Sequence, residues 1–175
     1  MGLEAYLHAV FGDDLRRDFF LRFQIANRDD LARGAALQRE RLQGDRERAI
    51  DGGDYRLLVC NLANPDMVGH TGDLSAAAMA CAVVDDAIRQ IAAATLAKGG
   101  ALLVTADHGN CECMRDEKGN PHTAHTINPV PAVLVAQGFE ATQLRAGGAL
   151  ADVAPTLLKL MGVRQPPEMD GTSLF

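Results

Sequence analysis

Two apolar runs of this chain each lead into a segment that holds an aspartate and a histidine, and that repetition constrains the fold more than any other feature. Tyr55-Arg56-Leu57-Leu58-Val59-Cys60-Asn61-Leu62 leads into Asn64-Pro65-Asp66-Met67-Val68-Gly69-His70. Ala101-Leu102-Leu103-Val104-Thr105-Ala106 leads into Asp107-His108-Gly109-Asn110. Both runs have the length and apolar content of buried strands. Between them Asp73 is placed to cap a helix, and Ala80, Val84, Ala87, Ile88 and Ile91 make an apolar stripe along it. Lys98-Gly99-Gly100 then supplies a cation and two glycines where that helix should end. Strand, helix, strand is a βαβ unit, which predicts parallel strands and a right-handed crossover. In open sheets of this kind sites gather beyond the carboxyl ends of the strands, so both Asp/His pairs are expected on one edge.

A third segment, Pro121-His122-Thr123-Ala124-His125-Thr126, follows a polar loop. The chain has 5 histidines, and His70, His108, His122 and His125 all fall in these three segments, leaving only His8 outside them. Val130-Pro131-Ala132-Val133-Leu134-Val135 reads as a further strand, with its proline near the start where it is tolerated. Asp152 is expected to cap a last helix through Leu157, Leu158, Leu160 and Met161, closed by Gly162. The fold class expected is α/β, a mainly parallel central sheet with flanking helices.

Residues 1–50 read differently from residues 51–175. Arginines alternate with acids from Asp13-Asp14-Leu15-Arg16-Arg17 to Asp45-Arg46-Glu47-Arg48, the pattern of solvated helical surfaces rather than of a phosphate site. Phe19-Phe20-Leu21-Arg22-Phe23 is the exception, an apolar knot that needs something to pack against. With exposed sheet edges it points to self-association or a complementing chain. Asp51-Gly52-Gly53-Asp54 is the turn between the two parts.

A net charge of -6 excludes an electrostatic case for nucleic acid as a partner. No apolar run approaches the roughly 20 residues of a membrane span, and the start lacks the basic region of a signal peptide, so a cytoplasmic protein is expected. Cys60 in a core strand and Cys81 in an apolar helix fit reduced thiols. Cys111 and Cys113 form a C-x-C beside the Asp107-His108 pair, a weaker zinc signal than C-x₂-C, and are expected to be bystanders.

Asp66 and His70 are spaced i, i+4, so one helical turn puts both on one face. Asp107 and His108 are adjacent and at a strand end can diverge towards two ions, and His125 adds an imidazole from a loop. For any one pair the plain alternative is a capping aspartate and a surface histidine; three clusters at the ends of consecutive elements favour metal. Mixed oxygen and nitrogen ligands suit Mn²⁺, Zn²⁺ or Fe²⁺ better than Ca²⁺ or Mg²⁺. Two such ions would clamp the oxygens of a phosphoryl group. His122 reads as a support for a ligand or as a substrate contact.

Asn64-Pro65-Asp66-Met67-Val68-Gly69-His70-Thr71-Gly72, Thr105 to Asn110, and Pro121 to Pro131 together resemble the cofactor-independent (2,3-bisphosphoglycerate-independent) phosphoglycerate mutases of the alkaline phosphatase superfamily. The resemblance runs from about Asp51 to the end, through Leu150 to Thr156 and Pro166 to Gly171. It implies the C-terminal part of an alkaline phosphatase-like domain, with two divalent ions, usually Mn²⁺, and no bisphosphoglycerate. By resemblance Asp66, His70 and His125 would hold one ion while Asp107 and His108 contribute to the other. A family serine between the ions carries the phosphoryl group from 3-phosphoglycerate to give 2-phosphoglycerate. That serine, a further aspartate ligand and the substrate-binding arginines come in the family from segments with no counterpart here. The serines present, Ser75 and Ser173, sit in helix-start and tail settings, so the chain is expected to be inactive alone and to act on phosphoglycerate only if completed. The other readings are a stand-alone phosphohydrolase and a non-catalytic metal-binding remnant.

Overall fold

The computed structural model describes residues 23–24, 47–52 and 55–175. The expected surface helices before residue 47 and the apolar knot from Phe19 lie outside the described residues, apart from the backbone of Phe23. In chain order the elements are β1 (Phe23–Gln24), a π-helical turn (Glu47–Asp51), β2 (Cys60–Asn61), α1 (Asn64–Gly69), α2 (Leu74–Ala97), β3 (Ala101–Thr105), β4 (Ala132–Ala136), a 3₁₀ turn (Leu150–Asp152) and α3 (Val153–Leu160).

The long helix α2 forms where local signals ask for it. The Asp73 side chain accepts the Ala76 amide at 3.0 Å and caps its start. At the other end Gly99 takes a left-handed φ of 70°, and the Gly100 amide returns to the Thr95 carbonyl at 2.9 Å. Lys98 reaches across to the Asp51 carbonyl at 2.8 Å, tying the helix end to the π-helical turn.

The α/β class holds, but the strand pairing departs from a mainly parallel sheet. Among the described residues β1 pairs parallel with β2 over two residues, whereas β3 pairs antiparallel with β4 over all five. The segment before Asp66 is strand only at Cys60–Asn61, so β2 and β3 are not neighbours in a ladder. Pairing is a long-range choice that the βαβ pattern alone does not determine; an antiparallel partner needs only a return connection, here residues 106–131.

Burial is shallower than the apolar runs suggest. Leu57 is buried but Cys60 is exposed, and β3 is half-buried along its middle. Cys60 therefore does not sit in a core as expected, and Cys81, although it lies on the expected helix, is exposed as well. Two small cores carry the packing. Leu57 and Leu158 collect Val59, Leu157, Met161, Val163 and Met169. Val68, Ala77 and Met114 collect Ala76, Ala80 and Cys111, which fixes α1 against α2 and the loop after β3.

Asp152 does not cap α3 through its side chain as expected. Its carboxylate instead accepts the amides of Ala149 at 2.9 Å and Thr172 at 2.8 Å and pairs with Arg145 at 2.7 Å. The fully buried Thr156 donates to the Asp152 carbonyl and accepts the Leu174 amide. The tail from Arg164 is thereby stitched to α3, and Gly162 with φ 66° closes that helix as expected.

Candidate metal centre

The site begins with a helix too short to move its two polar residues apart. Pro65 sits in the first turn of α1, where its missing N–H costs nothing, and His70 is the C-cap. One turn therefore separates Asp66 from His70, and their side chains meet at 3.3 Å between Oδ1 and Nε2. The loop after β3 and the loop before β4 are joined by an antiparallel bridge between Gly109 and Thr126, with the Thr126 amide donating to the Gly109 carbonyl at 2.9 Å. That bridge swings His125 in, placing its Nε2 at 3.0 Å from Asp66 Oδ1 and 3.1 Å from His70 Nε2.

Three ligand atoms thus form a nearly equilateral triangle, and Asp66, His70 and His125 are a group able to hold a metal ion. Ligand atoms at about 2.1 Å from one ion lie roughly 3.0–3.4 Å apart in octahedral or tetrahedral arrangements. The triangle's edges fall in that range. The tautomer of His70 fits as well: its Nδ1 donates to the Thr123 carbonyl at 2.6 Å, which leaves Nε2 as a lone pair facing the triangle. A proton on His125 Nε2 would satisfy one edge; a cation satisfies all three.

Asn110 holds the carboxylate in place. It is 6 % exposed, and its Nδ2 donates to Asp66 Oδ1 at 3.0 Å. Its Oδ1 is buried without a hydrogen-bond partner among the described residues and packs against Gly69. A Cβ at Gly69 would collide with the Asn110 amide, so glycine serves there for close approach. The same is true of Gly109, where a Cβ would run into the Thr126 hydroxyl and the Glu112 carboxylate. Of Gly69, Gly72 and Gly109 only Gly72, with φ 72°, has the left-handed conformation of a turn glycine.

Asp107 and His108 stand beside the triangle rather than in it. The His108 ring stacks on His125 with centroids 3.7 Å apart, and its Nε2 lies 3.7 Å from Asp107 Oδ1. The Asp107 side chain is 85 % exposed. His122 is not one of the group: its Nδ1 donates to the Cys113 carbonyl at 3.0 Å, docking the loop that carries Thr123 and His125. Cys111 donates its thiol to the Pro65 carbonyl at 2.8 Å. Burial first, then the neighbouring Cys81, pushes its pKa up to about 11.

Glu112, Asn110, Thr126 and the Thr123 carbonyl escaped the sequence reading. The Glu112 carboxylate accepts the Thr126 hydroxyl, the Asn128 amide at 3.0 Å and the Asn110 backbone N–H at 2.6 Å. Those donors, led by Thr126, hold its pKa down to about 2. The only signal available was position: Asn110 and Glu112 flank Cys111 immediately after the Asp107-His108 pair.

Known proteins resemble this chain over most of its length. The model of the metalloenzyme superfamily matches residues 39–165. The 2,3-bisphosphoglycerate-independent phosphoglycerate mutase of Ruegeria pomeroyi is 59 % identical over 125 residues, which is 71 % of this chain and 24 % of that protein. The protein of the same name from Rhodopseudomonas palustris is 60 % identical over 128 residues, 73 % of this chain and 25 % of its own length. A crystal structure of Leishmania mexicana phosphoglycerate mutase at low cobalt concentration superposes with a TM-score of 0.72 at 30 % identity, covering 85 % of this chain and 30 % of that one. The chain therefore spans about a quarter of the length of the curated relatives it matches.

Proposed function

Because the chain belongs to the metalloenzyme superfamily, we propose that it is the metal-holding part of a cofactor-independent phosphoglycerate mutase, an isomerase of glycolysis. The relatives similar to it carry that name, and the match covers a quarter of their length. The observation that carries the reading is the triangle of Asp66, His70 and His125.

In this reading the three residues hold one divalent ion, and Asp107 and His108 contribute to a second from the adjoining loop. Mn²⁺ is the ion proposed, with Zn²⁺ and Fe²⁺ as alternatives for the same mixed donors. Such ions supply positive charge that stabilises a transferring phosphoryl group between two oxygens. The chain's own residues prepare the place. Thr123 fixes the His70 tautomer, Asn110 orients Asp66, and the His108 ring lies face to face with His125. Phosphoglycerate is the substrate and the cytoplasm the compartment proposed; among the described residues no helix is long and apolar enough to cross a membrane.

The two serines in the sequence favour a half-site. Ser75 lies in the first turn of α2, and the Ser173 hydroxyl donates to the Phe175 carbonyl in the tail. Neither is hydrogen-bonded to the triangle, so the 175 residues should bind metal without isomerising phosphoglycerate. A coupled assay from 3-phosphoglycerate with Mn²⁺ tests this. No turnover by the chain alone, and turnover on mixing with the N-terminal part of a relative, is the result expected. Release of inorganic phosphate without isomerisation would instead favour a phosphohydrolase. Failure of both assays despite metal binding would leave a non-catalytic metal-binding protein.

A further inference from the structure

Resting on the metal reading above, we propose that Glu112 is a positioning residue that holds the two ligand-bearing loops in register. One carboxylate oxygen, Oε1, receives the Thr126 hydroxyl and the Asn128 amide from the loop before β4. The other, Oε2, receives the Asn110 backbone N–H from the loop after β3 at 2.6 Å. Each loop delivers a group to the triangle. Asn110 passes its side-chain amide on to Asp66 Oδ1 at 3.0 Å, and Thr126 directly follows His125. Glu112 is thus one hydrogen bond from the residue that orients Asp66 and one from the neighbour of His125.

The site is shaped around this clamp. Gly109 has no room for a Cβ because the Thr126 hydroxyl and the Glu112 carboxylate occupy that space. Thr126 is held from both ends, its amide on the Gly109 carbonyl and its hydroxyl on Glu112. Without the carboxylate, the Gly109–Thr126 backbone bridge still joins the loops, but it leaves the peptide free to pivot. Charge-assisted bonds from three donors remove that freedom. Glu112 is exposed and buries little apolar surface, so its contribution lies in orientation rather than packing.

The test is calorimetric titration of Mn²⁺ into the full chain and its Glu112→Ala and Glu112→Gln variants, with the visible spectrum of added Co²⁺ as a report on ligand geometry. Glu112→Ala should weaken Mn²⁺ binding about 10–100-fold, the usual cost of losing a group that orients ligands, and should change the Co²⁺ spectrum. Glu112→Gln keeps the shape but places a donor against a donor, and should fall between the two. Thr126→Val removes the hydroxyl, and with it the bond to Glu112 and the longer one accepted from the Asn128 backbone N–H at 3.3 Å, at nearly constant volume; it serves if Glu112→Ala does not fold, and should weaken binding several-fold. A role in stability alone would lower the melting temperature of the metal-free chain while leaving affinity and spectrum unchanged, and would overturn the inference. No Mn²⁺ binding by the unsubstituted chain would overturn the metal reading itself, and this inference with it.

Discussion

The Nε2 atoms of His70 and His125 lie 3.1 Å apart, across a helix cap and a loop separated by 55 positions. The Thr123 carbonyl takes the Nδ1 proton of His70, so the nitrogen facing His125 is a bare lone pair. With the His125 nitrogen it converges on the Asp66 carboxylate, an arrangement that a divalent cation would stabilise.

Removing one corner should therefore cost more than removing a support. His70→Ala is expected to weaken Mn²⁺ binding by more than about 100-fold, beyond the range typical of groups that only orient a ligand. Equilibrium dialysis against Mn²⁺ checks this, with the far-ultraviolet dichroism of the variant expected to match the unsubstituted chain.

Binding should also stabilise the fold. A ligand at about 100 times its dissociation constant adds about 2.7 kcal/mol to a state that alone binds it. The melting temperature should rise with Mn²⁺, and the rise should vanish in His70→Ala.

Gly69→Ala is expected to destabilise by about 1–3 kcal/mol, because the added methyl meets the Asn110 amide in a packed site. It should weaken metal binding as well, since Asn110 cannot move without releasing Asp66. Gly119→Ala is the contrast. Its Cβ meets nothing within 4 Å and only its φ of 81° is strained, so it should leave metal affinity unchanged.

Acid should unfold the chain through two clamps. The Glu112 carboxyl is held at about 2 in the fold against an ordinary 4.5, chiefly by the Thr126 hydroxyl. Asp152 is also held below the usual carboxylate range, first by the Thr172 amide and then by that of Ala149. Folded pKa values below the unfolded ones mean stability that is fully present above the unfolded values and is lost as pH falls through the folded ones. Urea midpoints should be level near neutrality and fall as pH drops from about 4.5 towards 2. Glu112→Gln should flatten part of that fall.

Asp152→Ala should cost about 2–4 kcal/mol, because it strips an acceptor from two backbone amides and from Arg145 at a buried position. Chemical denaturation checks the value, and loosening of the tail around Thr172 should show as faster amide exchange there.

What could be read from the sequence was what neighbouring residues decide. Asp73 and Lys98-Gly99-Gly100 mark the ends of α2 because capping is local, and the i, i+4 spacing of Asp66 and His70 survives as a real contact. The partner of β3 was not legible, since the Leu102 to Val104 run would suit either a parallel or an antiparallel neighbour. The need for glycine at 69 and 109 shows only once the side chains of Asn110 and Glu112 are seen against them. Asp152 looks like a helix cap, and only the returning tail reveals that its carboxylate is already engaged. Asn110 and Glu112 carry no spacing rule of their own; their roles exist only once two distant loops have met.

The central claim, that Asp66, His70 and His125 form a metal site, is tested most directly by titrating Mn²⁺ into the purified 175-residue chain and into His125→Ala. Saturable binding by the chain, lost in His125→Ala with the fold intact, is the result expected. Absence of binding by the chain, or equal binding by the variant, would contradict it.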